Sequence, residues 1–179
     1  MCSATDGEVR LLRVETGTGA PITAALDAGA DKPLAFADLG AEENPALGRR
    51  GLRLSQARPE LLETQLKALA AAASATGADV RVMAPMVATV DEAQWFADQV
   101  AAAGLPKSGV MIEVPAAALG ARHVLAPVDF GSLGTNDLAQ YTMAADRMQG
   151  ALSDLLDPWQ PAVLNVIKVA CAGAAELGK

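Results

Sequence analysis

At 179 residues the chain is long enough for one domain with a sizeable core, but short of the roughly 250 residues of a complete eight-fold βα barrel. A formal net charge of −7 argues against nucleic acid and anionic membrane surfaces as partners, since both attract basic proteins. Apolar residues make up 51% and aromatics only 3%, and no apolar run reaches a membrane span, so the expected core is aliphatic and alanine-rich and the expected setting cytoplasmic.

Residues 1–21 read as a leader or an edge segment, with 8–14 an undecided strand, and the domain proper is expected over 22–179. Residues 22–26 suit a strand, and Asp27-Ala28-Gly29-Ala30-Asp31-Lys32-Pro33 a turn. A loop through Glu42-Glu43-Asn44-Pro45 leads to Gly48-Arg49-Arg50-Gly51. A helix is predicted from Pro59 to about Ser74. Pro59 suits its first turn, Glu60 and Glu63 suit its positive end, and Leu62, Leu66, Leu69 and Ala73 share one face. Residues 80–84 form the next strand. Thr89 and Glu92 then make a capping-box pattern ahead of a helix with Ala93, Phe96, Ala97 and Val100 on one side, stopping near Gly104. Residues 109–114 give a third strand, Pro115 starts another helix, and 128–133 give a fourth strand. The last helix is predicted over 161–177, its apolar face built from Val163, Val166, Ile167 and Ala170. Near-continuous apolar strands between helices predict a parallel sheet covered on both faces, an α/β fold.

Two cysteines, Cys2 and Cys171, make no disulfide framework, and Cys171 reads as a buried small hydrophobe. The single histidine, His123, reads as a partly exposed structural residue, and the lack of a second His or Cys at ligand spacing argues against zinc.

Charges in or beside buried parallel strands carry the chemistry. Glu113 ends its strand, and Asp137 follows the next one in Gly131-Ser132-Leu133-Gly134-Thr135-Asn136-Asp137. On one face of a barrel the two carboxylates would converge, repel, and favour a cation between them. Mg²⁺ fits, since it takes a few carboxylate oxygens and completes its shell with water and phosphate. The alternative, a buried structural ion pair between Glu113 and Arg81, is left equally open by spacing alone. Arg50, Arg53, Arg81 and Arg147 are candidates for an anion clamp, because a guanidinium grips carboxylate or phosphate through two parallel bonds. The plainer readings are a solvated cluster for Arg49, Arg50 and Arg53, and a pair with Asp146 or Asp154 for Arg147.

From Ile22 onward the sequence resembles the C-terminal domain of phosphoenolpyruvate–protein phosphotransferase, Enzyme I of the bacterial sugar phosphotransferase system. The matching motifs are Leu26 to Pro33, Glu43-Asn44-Pro45-Ala46-Leu47-Gly48-Arg49-Arg50-Gly51-Leu52-Arg53, Arg81-Val82-Met83-Ala84-Pro85-Met86-Val87, Gly109-Val110-Met111-Ile112-Glu113-Val114-Pro115-Ala116, and Gly131 through Arg147. The resemblance implies a partial (βα) barrel of the phosphoenolpyruvate/pyruvate-binding TIM type, with about half to two-thirds of the eight units. It implies Mg²⁺ on Glu113 and Asp137, with Arg50, Arg81, Asn136 and Arg147 holding phosphoenolpyruvate. It also shows departures. The family's Arg-Thr pair is Ala24-Ala25 here, which removes one charged contact worth about 1.5–3 kcal/mol. The family's cysteine loop, thought to protonate the enolate, and its phosphohistidine domain find no match.

The expected function is therefore phosphoenolpyruvate binding within a phosphotransferase, inactive in this chain alone. Expected partners are the phosphocarrier protein, full-length Enzyme I, or further copies of the chain. The alternatives are a non-catalytic binding or assembly module, or a Mg²⁺-dependent oxo-acid lyase-type barrel.

Overall fold

A computed structural model describes Arg13–Thr16 and residues 46–179. The predicted strand at 22–26, the turn at 27–33, the loop at 42–45 and Cys2 lie outside the described residues. The elements run β1 (Arg13–Thr16), α1 (Leu52–Ala57), α2 (Pro59–Thr76), β2 (Val80–Ala84), α3 (Val90–Ala102), β3 (Lys107–Ile112), α4 (Pro115–Leu119), α5 (Ala121–Val124), β4 (Phe130–Leu133) and α6 (Thr135–Met143). A 3₁₀ helix (Gly150–Leu156) and α7 (Pro161–Ala175) follow.

The α/β expectation holds. The sheet has the order β1-β2-β3-β4, with β2, β3 and β4 parallel and β1 antiparallel along β2. Of the undecided strand at 8–14, positions 13 and 14 fall within β1, and 8–12 lie outside the described residues. Among the described residues the sheet is an open row of four, not a closed barrel. Phe130 lies opposite Gly109 in the register, and a Cβ on that glycine would sit 2.4 Å from the Phe130 ring.

Alternation along the strands decides what each face does. Val80, Val82 and Ala84 of β2, with Val110 and Ile112 of β3, are buried in the core with Leu62, Leu66, Leu69, Phe96 and Val100 from α2 and α3. Met83 and Met111 fall on the opposite parity and are also buried. Glu113 continues the Met111 parity just past the end of β3, so it emerges on the face away from the helical core.

Local signals explain the element bounds. Pro59 opens α2, and Gly77 closes it in the left-handed region, its N–H bonding to the Ala73 carbonyl. The predicted capping box is present: Glu92 N–H donates to Thr89 Oγ1, and Glu92 Oε2 accepts the Thr89 N–H. β3 starts and stops two residues earlier than predicted. The Ser108 N–H donates to Asp129 Oδ2 at 2.9 Å and the Asp129 N–H to the Ser108 carbonyl at 2.8 Å, which extends pairing at the start. At the other end Val114 already caps α4, with Pro115 in its first turn. Gly120 splits the following helix in two.

One burial expectation fails. Cys171 is exposed, because the buried line of α7 runs through Val163 and Ala170 and Cys171 lies about a hundred degrees round from it. No helix among the described residues is long and apolar enough to cross a membrane.

Candidate ligand and metal site

Parallel strands end at the same edge of a sheet, and the chain uses that edge for its charged groups. Glu113 is the residue after β3, and Asp137 stands in the first turn of α6, directly after β4. Glu113 is 4% exposed, and its Oε1 accepts the Met86 N–H at 2.6 Å. Met86 follows β2 with a φ of 60°, a conformation uncommon for a residue with a side chain. Burial pushes the Glu113 carboxyl up to about 7. The Met86 hydrogen bond opposes this, the Asp137 charge reinforces it, and Arg50 and Arg147 pull it back.

The glycine before α6 is dictated by this carboxylate. A Cβ on Gly134 would lie 2.6 Å from Glu113 Oε2 and 2.7 Å from Glu113 Cβ. Only a residue without a side chain lets β4 turn into α6 so close to Glu113.

Asp137 lies between two guanidiniums. Arg50 Nη2 is 3.6 Å from Oδ1, and Arg147 Nη1 is 3.8 Å from Oδ2. Both distances are too long for hydrogen bonds, and Oδ1 is buried without a donor. The negative charge is thus balanced at a distance, and the lone pairs of Oδ1 remain available. Arg50 comes from the loop ahead of α1 and Arg147 from the loop after α6. The Arg147 N–H donates to Gln140 Oε1 at 2.9 Å, and the Tyr141 hydroxyl donates to the Ala46 carbonyl. Burial raises the Tyr141 pKa, the Arg50 charge opposes that rise, and the Asp137 charge adds to it.

Arg50, Glu113, Asp137 and Arg147 thus gather at one edge. Asn136 is exposed on α6, next to Asp137. Arg81 does not join them. It pairs with Lys107 at the opposite end of β3 in the register, and its Nη2 lies 3.1 Å from Asp79 Oδ2. No salt bridge links it to Glu113 among the described residues, and its guanidinium is held by Asp79 instead. Arg147 turns to Asp137 rather than to its neighbour Asp146, and Arg53 pairs with Glu92 at 3.7 Å. His123 is exposed on α5, as its plain reading expects. Sequence reasoning missed Met86, which acts through its backbone, and Gln140 and Tyr141. The last two had a signal, since they stand three and four residues after Asp137 on one helix face.

Residues 13–179 match the family described as PEP-utilising enzyme, PEP-binding domain. The chain belongs to this family. The resemblance read in the sequence is thereby established. This PEP-binding domain is 55% identical over 162 residues to the phosphoenolpyruvate-protein phosphotransferase of Streptomyces coelicolor, covering 90% of the chain and 29% of that protein. It is 46% identical over 169 residues to the protein of the same name from Haloferax volcanii, covering 87% and 30%. It is 45% identical over 160 residues to the multiphosphoryl transfer protein of Xanthomonas campestris pv. campestris, covering 86% and 19%. The domain spans less than a third of the length of these curated relatives.

Proposed function

We propose that the chain binds phosphoenolpyruvate together with Mg²⁺, as the phosphoenolpyruvate-binding part of a phosphoenolpyruvate–protein phosphotransferase, and that its sheet is part of a (βα) barrel. The observation that carries the reading is Asp137. It is flanked by two guanidiniums, has a buried oxygen with no hydrogen bond, and is close enough to the buried Glu113 carboxyl to act on its charge. Family membership supplies the ligand class.

The donor set fits a hard divalent cation. Among the described residues no cluster of three or more His, Cys, Asp or Glu side chains could hold a metal by itself. A two-carboxylate site completed by water and ligand oxygens suits Mg²⁺ better than zinc. Glu113 and Asp137 would hold the ion, which when bound neutralises charge on the ligand's oxygens. Arg50 and Arg147 carry two positive charges at distances that a ligand anion can reclaim. Phosphoenolpyruvate presents a phosphate and a carboxylate for two such forks. Asn136 adds an amide at the start of α6, where the helix dipole also favours an anion. Phosphoryl transfer to a protein histidine is proposed for the longer proteins of which this chain matches a part. For the chain itself the proposal is binding, with the phosphocarrier protein and Enzyme I as candidate partners.

Isothermal titration tests the reading. Phosphoenolpyruvate should bind in Mg²⁺ and lose at least tenfold in affinity when the ion is chelated or Asp137→Asn is introduced. Equal affinity with and without Mg²⁺ would remove the cation from the proposal. No binding under either condition would remove the ligand.

A further inference from the structure

Positions 137, 140 and 141 lie one turn apart on α6 and so share a face. At the first of them, Asp137 meets the guanidiniums of Arg50 and Arg147 at 3.6 and 3.8 Å. Neither arginine belongs to a helix or strand; each arrives on a loop, the part of a fold least able to hold a long side chain still. One turn further, the same helix fastens both loops. Buried Gln140 takes the backbone N–H of Arg147 on Oε1 at 2.9 Å. The Tyr141 hydroxyl donates to the carbonyl of Ala46, four residues ahead of Arg50. A buried amide and a part-buried phenol must find partners: the two side chains hydrogen-bond each other, and each also bonds the main chain of one arginine-bearing loop.

We infer that Gln140 and Tyr141 are positioning residues that fix the gap between the two guanidiniums across Asp137, and with it the anion that the pair can grip. The inference rests on the phosphoenolpyruvate reading for the identity of that anion. The division of labour is specific: Tyr141 acts on Arg50, and Gln140 acts on Arg147. Removing one tie loosens its own arginine more than the other, because the Gln140–Tyr141 contact couples the two only through side chains.

Side-chain nitrogen-15 relaxation of the arginine Nε–H groups, measured without ligand, reads this directly. Tyr141→Phe should lower the order of Arg50 and spare Arg147, and Gln140→Met should do the reverse. Gln140→Glu keeps an acceptor oxygen and should restore Arg147. In Mg²⁺, each deletion should weaken phosphoenolpyruvate binding about three- to tenfold, the size expected for one net hydrogen bond, with Mg²⁺ affinity unchanged. A purely structural tie would lower the melting temperature with no selective change at either arginine, and that result would overturn the inference. Should Gln140→Met not fold, Tyr141→Phe alone decides through the contrast between Arg50 and Arg147. If the unmutated chain binds no phosphoenolpyruvate, the functional reading falls while the relaxation contrast still judges the positioning.

Discussion

Glu113 carries a conflict between burial and charge that can be read in solution. Its carboxyl titrates near 4.5 when unfolded and is pushed up to about 7 in the folded chain, chiefly by burial. A raised carboxyl pKa means that the folded state favours the neutral acid. The associated stability is fully present below about 4.5 and is lost as pH rises through about 7. In chelator-treated protein, Glu113→Gln removes the penalty while its amide oxygen can still accept the Met86 N–H. The variant should match the parent near pH 4 and exceed it at pH 8 by on the order of 2–3 kcal/mol in denaturant unfolding. A difference that stays constant across this range would mean that Glu113 is not held as a neutral acid. This tension was half legible in the sequence, where a carboxylate after an apolar run suited a ligand site and a structural ion pair equally, and where repulsion from Asp137 rather than burial was the expected cause. Arg81 was not legible in the same way. It carries the same kind of charge in the same kind of strand, but it stands near the strand's start, where Asp79 and solvent satisfy it. Which end of a strand a charge occupies matters more than its presence, and a boundary error of two residues blurs that distinction.

At the scale of the element, the turn from β4 into α6 is the tightest constraint. The sequence announced it through two glycines ahead of Asn136-Asp137, and the structure gives Gly134 its reason in the contact with Glu113. Gly134→Ala forces either the carboxylate or the turn to move. Overpacking of this kind costs about 1–3 kcal/mol, and the displaced Glu113 should lower Mg²⁺ affinity at least tenfold. Calorimetry on the folded variant separates the two effects. Affinity unchanged from the parent would show that Glu113 can yield without leaving its post. Helices with a periodic face and a cap were readable from the chain, as α2 and α3 show. The short α1 and the 3₁₀ helix at Gly150–Leu156 were not, since six or seven residues offer too little periodicity to register. Cys171 failed for a related reason. α7 is apolar nearly all round, so composition alone could not tell its buried line from its exposed one.

At the scale of the whole molecule, the alternation of strands and helices and the parallel pairing of β2, β3 and β4 were readable, because buried strands must be apolar and must be crossed over by helices. Closure of the sheet was not, since it depends on strand tilt and stagger, which no local pattern encodes. The described surface retains large apolar groups in solvent: Met148 is 85% exposed, Trp159 76% and Leu47 68%. Among the described residues β4 pairs on one side only. Unpaired strand edges and exposed apolar groups are both surfaces that favour association. With the acidic net charge spread along the chain and opposing close approach, any association should be modest, reversible and stronger at high ionic strength. Sedimentation velocity over a wide concentration range should therefore show a reversible shift from monomer to dimer or larger species. The double variant Met148→Ser, Trp159→Ser should move that shift to higher concentration without changing the melting temperature. A parent chain that sediments as a monomer throughout would mean that these side chains are ordinary isolated surface residues and that the edge of β4 needs no second copy to protect it.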